Sequence, residues 1–225
     1  ETAGEAYGTY NTDVSPWLVG WIIGIEWDPN FVINTNNQHP DKKDYDGEYL
    51  YTQTASPFEA FLCRVGDALI KHVETYKFQV PLAFSNWITT DPLTHPNEPH
   101  FDEDKATVNT ENVKSRNFGP GMFASYHIYP YYPDSLNYQE DYLEYTDDSG
   151  KVNTYEAYLE DLKLAHTVPI IVAEFGIPTS RGMGHESVMG YNQGMVDETA
   201  QGAMLIDMLG SIENAKYAGG IVFTW

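Results

Sequence analysis

The sequence predicts an α/β fold with a parallel sheet, on the basis of two observations. Apolar runs typical of buried strands alternate with segments of helical periodicity, which indicates repeated strand–helix–strand units. The segments that follow the strands are long, whereas those that lead into strands are short. This asymmetry predicts that the functional loops lie at one face of the sheet, as in a (β/α)8 barrel. Five strands are predicted, which is fewer than a closed barrel of that kind contains.

Five apolar runs are interpreted as strands. The clearest begins at Val168 and ends at Ala173. It is rich in β-branched residues, and its Pro169 lies near the start, where a strand tolerates proline. The complete set of predicted strands is Trp17–Ile25, Val80–Phe84, Met122–Ile128, Val168–Ala173 and Ile221–Trp225.

Three helices are predicted between these strands. The first has the strongest start signal: Ser56 can cap it, Pro57 suits the first helical position and Glu59 completes a capping box. Apolar residues then follow with helical spacing to about Tyr76. The second helix carries Tyr155, Tyr158, Leu159 and Leu162 on one face, and the third begins at Asp197 and Glu198 and has Met204, Leu205, Met208, Leu209 and Ile212 on its apolar side. Loops are predicted at 30–55, 88–118 and 176–195, and in the acidic segment that ends at Asn153.

Composition and charge exclude several classes of partner. Hydrophobic residues make up 42% of the chain and charged residues 20%, so the chain can form a core. The formal net charge of −21 makes nucleic acid and anionic membranes poor partners, whereas neutral ligands meet no repulsion. No apolar run approaches membrane-spanning length. The chain begins at Glu1 and not at Met, so we expect a processed product with an extracellular or cell-envelope location.

Polar or aromatic side chains stand at the end of every predicted strand. They are Glu26 with Trp27, then Asn86, His127 with Tyr129, Glu174, and finally Trp225. Each alone has an ordinary structural explanation, such as a helix cap, a buried histidine with its hydrogen bonds satisfied, or core packing. Two acids on different strands that open to one face suit glycoside hydrolysis, which needs one acid to protonate the leaving oxygen and one carboxylate to attack the sugar.

Four of these strand ends resemble the large clan of retaining glycoside hydrolases built on (β/α)8 barrels. The most specific match is Ile171-Val172-Ala173-Glu174-Phe175-Gly176, which resembles the strand-seven nucleophile motif. Trp21-Ile22-Ile23-Gly24-Ile25-Glu26 is similar to the strand-four motif of the acid/base residue. His127-Ile128-Tyr129 and Phe223-Thr224-Trp225 resemble the ends of strands six and eight. The resemblance implies a single domain that covers strands four to eight and lacks strands one to three. Such a domain leaves two apolar strand edges open, and we expect either the loops at residues 1–16 and 88–118 or another chain, such as a second copy, to cover them.

The resemblance also implies roles for individual residues. Glu174 is expected to be the nucleophile and Glu26 the acid/base, with its pKa raised by apolar neighbours such as Trp27. The residues expected to contact the carbohydrate substrate are Trp27, Asn86, His127, Tyr129 and Trp225. Neither a cofactor nor a metal ion is expected.

Two alternatives stay open, and two departures from the clan's pattern, the residue before Glu26 and the missing strands one to three, favour the first of them. The clan usually has Asn before the acid/base residue, where this chain has Ile25. A carbohydrate-binding module or pseudoenzyme that has lost turnover is therefore the first alternative. The second is a metal-dependent hydrolase that uses acids and His127, although no H-E-x-x-H or His-x-His pattern occurs. The sequence determines neither the sugar nor the linkage.

Overall fold

The computed structural model describes residues 11–224 of an α/β protein. Its strands, in chain order, are β1 (Trp21–Ile23), β2 (Leu50–Thr52), β3 (Leu82–Trp87), β4 (Val113–Ser115), β5 (Ala124–His127), β6 (Ile170–Phe175) and β7 (Gly219–Val222). The main sheet has the order β1-β3-β5-β6-β7, and every pair in it is parallel. Neighbours in the sheet thus follow one another along the chain, as predicted. Within residues 11–224 the sheet stays open and does not close into a barrel.

Six helices accompany the strands. They are α1 (Pro29–Gln38), α2 (Pro57–Glu74), α3 (Ser135–Tyr138), α4 (Glu140–Glu144), α5 (Thr154–Leu164) and α6 (Glu198–Asn214). In the described part of the chain, none of them is long and apolar enough to cross a membrane.

The predicted start signals of α2 and α6 are confirmed. The Ser56 side chain accepts a hydrogen bond from the backbone N–H of Glu59, and the Glu59 carboxylate accepts one from the backbone N–H of Ser56. At α6, the Asp197 carboxylate accepts a hydrogen bond from the backbone N–H of Ala200. Both caps satisfy backbone donors that the first helical turn leaves without partners.

Three regions predicted as loops contain regular structure, and those predictions were wrong in part. Helix α1 lies where 30–55 was expected to be a loop, because the Asp28 carboxylate caps it and Pro29 fixes its first turn. Its Asn-rich sequence has low helix propensity, so tertiary packing of Val32 stabilises it. In the same way, β2 pairs with β4 from the 88–118 segment, and α3 and α4 lie before Asn153.

The core lies between the sheet and its helices, in two clusters. One contains Phe84 and Leu82 of β3 together with Phe58 and Leu62 of α2. The other contains Tyr126 of β5 and side chains of β6, α5 and α6. Alternate residues of the strands point into these clusters, so the remaining residues face the opposite side of the sheet, where the polar strand ends also open.

The Glu111 carboxylate joins the 88–118 segment to the segment that leads into β6. It accepts hydrogen bonds from the backbone N–H and the hydroxyl of Thr167, at 3.0 and 2.7 Å, and it lies 3.3 Å from both Lys114 Nζ and His166 Nδ1. Burial by itself raises the pKa of Glu111, but these donors outweigh burial and lower that pKa to about 2.

This carboxylate predicts a loss of stability in acid. Because its pKa is lower in the folded chain, the unfolded chain binds more protons as the pH falls from 4.5 towards 2. The stabilisation is therefore complete above pH 4.5 and is lost through that window. Glu111→Gln should lower the free energy of unfolding at pH 7 by about 1–3 kcal/mol, and by much less near pH 3. Urea unfolding at the two pH values measures this. The control variant Glu144→Gln, at an exposed position, should change the free energy of unfolding little at either pH. If Glu111→Gln lowered that free energy equally at both pH values, the link between the Glu111 carboxylate and acid stability would be contradicted.

The outer strands of the sheet are shorter and more exposed than predicted. The first is confined to Trp21–Ile23, and apolar side chains at the two edges reach solvent: Val19 is 87% exposed, Ile22 41%, Ile221 51% and Phe223 55%. The sequence predicted that such edges are covered either by the chain's own loops at residues 1–16 and 88–118 or by another chain. Of the first loop, residues 1–10 lie outside the described residues. The 88–118 loop places Val108, Val113 and Phe118 in the core on the helix side, so this loop does not cover them.

Association through a strand edge therefore stays a prediction. We expect the chain to sediment as a dimer or larger species, because exposed apolar side chains at strand edges favour pairing with another chain. Val19→Lys together with Ile22→Lys should shift the population to monomer. Leu164→Lys, at an exposed apolar position on α5, should not. A wild-type chain that is monomeric at all concentrations would contradict the prediction.

Candidate functional site

Three titratable side chains meet at one end of the main sheet. Glu26 follows β1, His127 ends β5 and Glu174 lies near the end of β6. His127 Nδ1 is 3.1 Å from Glu26 Oε1 and 3.4 Å from Glu174 Oε2. One ligand atom from each of the three residues lies within 4.8 Å of the other two. The structure thus brings together the two acids and the histidine that the sequence singled out.

An irregularity in β6 directs Glu174 to this side of the sheet. Tyr126 pairs with Val172, but His127, the next residue along β5, pairs with Glu174. Strand β6 therefore has one extra residue, Ala173, as in a β-bulge. Under regular alternation Glu174 would point with Val172 into the core between sheet and helices. The bulge turns its carboxylate to the face that carries His127.

The backbone after β1 turns sharply at Gly24, and this turn positions Glu26. Gly24 has φ +115°, a conformation that favours glycine, and a Cβ there would lie 2.3 Å from the Trp27 ring. Glycine therefore allows the Trp27 ring to pack closely over the turn. Glu26 lies between Gly24 and Trp27 in the sequence. Its side chain is 39% exposed, and its Oε1 atom lies 3.1 Å from His127 Nδ1.

Tyr129 holds the Glu174 carboxylate. Its hydroxyl donates a hydrogen bond to Glu174 Oε2 at 2.9 Å. Burial raises the pKa of Tyr129 above its usual range, and the acceptor carboxylate raises it further. The phenol therefore keeps its proton at neutral pH and acts as a donor. On the other side, His127 Nε2 lies 3.4 Å from the Ser85 hydroxyl, which leaves Nδ1 directed at the two carboxylates.

A pocket of about 860 Å³ opens over these carboxylates, and we call it the central pocket. Its lining includes five Trp, Tyr or Phe side chains, and the Trp87 and Tyr132 rings lie 6.0 Å apart. Burial raises the pKa of Tyr131 and of Tyr132 to about 12, so both phenols are neutral at physiological pH. His185, Gln193 and Gln201 add polar groups from the chain after β6. Flat apolar rings with a few polar groups suit a ligand that has both apolar faces and hydroxyl groups.

Two predicted contact residues lie in the core and do not line this pocket. Asn86 is fully buried: its amide donates to the Val108 carbonyl, and its side-chain oxygen accepts from the Thr90 hydroxyl. Trp27 is buried against Phe58, with its indole N–H donating to the Ser85 carbonyl at 2.8 Å. Both predictions were wrong because these side chains point into the core and not towards the pocket. Trp225 lies outside the described residues.

Trp87 and His185 line the pocket, although sequence reasoning did not select them. Trp87 is the residue after Asn86, so strand alternation was the signal that could have identified it. Its indole N–H donates to the Trp27 carbonyl at 3.0 Å, which fixes the ring. His185 packs against Tyr132 with ring centroids 5.2 Å apart and ring planes inclined by 58°, from a Gly-rich loop whose path the sequence does not indicate.

Glu26, His127 and Glu174 also form a set of donors that could hold a metal ion. Two carboxylate oxygens and one imidazole nitrogen within 4.8 Å of one another are a plausible set of ligands for a divalent cation. Without an ion, the same three groups already satisfy one another: the imidazole lies within 3.4 Å of both carboxylates, and Tyr129 donates to Glu174. The arrangement therefore suits either acid–base chemistry or a metal ion.

Comparisons of the chain with protein-family models, with curated proteins and with solved structures give no match.

Proposed function

We propose that the chain is a retaining glycoside hydrolase, with Glu174 as nucleophile and Glu26 as general acid/base. The observation that supports this best is the approach of the two carboxylates to within 4.8 Å, between nearest oxygens, in an aromatic pocket. Retaining glycosidases hold their carboxyl groups about 5–5.5 Å apart, whereas inverting enzymes need about 6.5–9.5 Å to admit a water molecule. Under this proposal, the open parallel sheet corresponds to part of a (β/α)8 barrel.

The proposed reaction has two displacements. A Glu174 oxygen attacks the anomeric carbon of the sugar while Glu26 gives its proton to the departing glycosidic oxygen, so a glycosyl ester forms and the leaving sugar departs as an alcohol. Glu26, now a carboxylate, then takes a proton from water, which attacks the same carbon and releases Glu174. The configuration at that carbon is retained because it is inverted twice.

His127 and Tyr129 are assigned positioning roles in this proposal. The Tyr129 hydroxyl keeps one oxygen of Glu174 occupied, which leaves the other free to attack. The His127 N–H lies between the two carboxylates and can donate to either, so it can follow the negative charge as it moves from Glu174 to Glu26. Both side chains are held by strand β5 or the residues directly after it.

Covalent trapping tests the assignment of Glu174. A panel of 2-fluoro glycosides with activated leaving groups should inactivate the protein, because the fluorine slows both formation and hydrolysis of the glycosyl ester, whereas the activated leaving group speeds only its formation. Peptide mass spectrometry should then find the sugar on Glu174. The Tyr129→Phe variant should label more slowly at the same residue. A label on another carboxylate would reassign the nucleophile.

The Glu26, His127 and Glu174 cluster also favours a second candidate, a metal-dependent hydrolase. In that case the three side chains would bind a divalent cation, which would lower the pKa of a bound water. Hydrolysis that a chelator abolishes and Zn²⁺ or Mn²⁺ restores would support this candidate. Activity that a chelator does not change would support the glycosidase. Glycan binding without any hydrolysis would support the binding-module alternative. The exposed, apolar Ile25, at the position where the clan has Asn, also favours that alternative.

A further inference from the structure

A second pocket continues the cleft on the Glu26 side. It has a volume of about 430 Å³ and shares Glu26, Trp87 and Tyr132 with the central pocket, so the two are contiguous. Glu174 lines only the central pocket. We call this second space the acidic pocket, because four carboxylates and one ammonium group line it: Glu26, Asp28, Asp102, Glu103 and Lys105.

The position of the acidic pocket assigns it to the leaving group. In a retaining hydrolase, the nucleophile lies against the anomeric carbon, and the acid/base residue lies beside the departing oxygen. A space that touches Glu26 but not Glu174 is therefore on the side of the sugar that departs. This assignment rests on the proposed function.

The charges in the acidic pocket do not cancel. The Lys105 ammonium is only 12% exposed and is already bound by the Asp102 carboxylate at 2.6 Å and by the Asn30 side-chain oxygen at 2.8 Å. Asp28 accepts its two hydrogen bonds from backbone N–H groups, and no cation pairs with Glu103 among residues 11–224. The lining therefore carries a formal charge of −3 with all four carboxyls ionised, and of −2 with Glu26 protonated for its proposed role as general acid.

Two buried polar atoms of the lining, both on neighbours of the Tyr132 hydroxyl, lack a hydrogen bond of regular geometry. They are the hydroxyl oxygen of Thr89, a residue that is 3% exposed, and Oε2 of Glu103. Both residues line the acidic pocket together with Tyr132. A buried polar atom without a partner is costly, so a ligand that supplies hydrogen-bond donors here would be stabilised. This observation is independent of the charge, and it also indicates a donor-rich ligand.

We propose that the acidic pocket binds the leaving-group sugar and favours a sugar that carries a protonated amine. An ammonium group offers three donors and a positive charge, which match the unpaired acceptors and the net charge of the lining. A neutral sugar lacks the charge, and a uronic acid brings a carboxylate into a negative site. The substrate class is therefore a glycan that contains amino-sugar units with free amines.

Binding to the Glu174→Gln variant tests the proposal without turnover. Calorimetry would compare an oligomer of β-linked glucosamine with the same oligomer after N-acetylation, near pH 6, where more of the ligand's amines are protonated than at pH 7. We expect the amine form to bind about tenfold more tightly at low salt. The preference should shrink in high salt, because partly exposed ion pairs are screened.

Charge variants show whether the pocket is responsible. Asp102→Asn with Glu103→Gln should reduce the amine preference at least about threefold. A matched control, Glu144→Gln with Asp148→Asn, removes the same charge from exposed positions that line neither pocket and should keep the preference. Equal affinity for the two oligomers, no binding of the amine form, or an equal loss in the control would each overturn the proposal.

Wild-type turnover separates this inference from the proposed function. Cleavage of neutral glycans with no preference for amines would support the hydrolase and overturn the amine selectivity. Binding that is selective for amines, without cleavage of any oligomer or activated glycoside, would contradict the hydrolase and support the selectivity of the pocket.

Discussion

Glu174→Gln is expected to reduce kcat by about 10⁴-fold or more, because a carboxamide cannot attack the anomeric carbon. The carboxamide oxygen can still accept the Tyr129 hydrogen bond, so the variant should fold and bind sugar with an affinity similar to that of the wild type. Steady-state kinetics on aryl glycosides and calorimetry with a non-cleaved oligosaccharide measure the two effects.

A matched control removes a carboxylate that has no role in the site. Glu213 lies exposed near the end of α6, and Glu213→Gln should leave both kcat and binding unchanged. Full activity in pure Glu174→Gln protein would rule out Glu174 as nucleophile. Loss of binding together with turnover would indicate that the carboxylate shapes the pocket and would leave its chemical role unproven, so thermal unfolding of the variant is measured beside the kinetics.

Glu26→Ala is expected to have an effect that depends on the leaving group. Substrates with poor leaving groups need a proton from Glu26, and their hydrolysis should slow by about 10²–10⁴-fold. Dinitrophenyl glycosides need no proton to depart, so formation of the glycosyl ester on Glu174 should be nearly unchanged and the ester should accumulate. Stopped-flow measurement of the released phenol would show a burst followed by slow turnover.

Azide provides the second half of this test. It attacks the glycosyl ester without needing a general base, and the space left by the Glu26 side chain admits it. Added azide should therefore restore turnover of the activated substrate in Glu26→Ala and give a glycosyl azide of retained configuration. Wild-type protein should not respond to azide. A variant that slows all substrates equally and is not rescued would contradict the acid/base assignment.

The sequence was sufficient to select the two acids and the two side chains that contact them. Glu26, His127, Tyr129 and Glu174 follow apolar runs, and parallel strands end at the same edge of a sheet, so strand-end residues meet. The capping box at Ser56 and the acidic start of α6 at Asp197 and Glu198 were likewise readable, because helix start signals depend on residues close in sequence. Helix α1 was not, since its stability comes from packing and not from its Asn-rich sequence.

Side-chain direction was decided only by the tertiary structure. Asn86 and Trp27 stand at strand ends as predicted, yet hydrogen bonds to Val108 and Ser85, distant in sequence, hold them in the core, and Trp87 lines the pocket instead. The direction of Glu174 depends on one extra residue in β6, which is defined only by its pairing with β5. The sequence alone determined which residues reach this end of the sheet. Which of them face the pocket is set by strand pairing, because a shift of one residue reverses the face to which a side chain points.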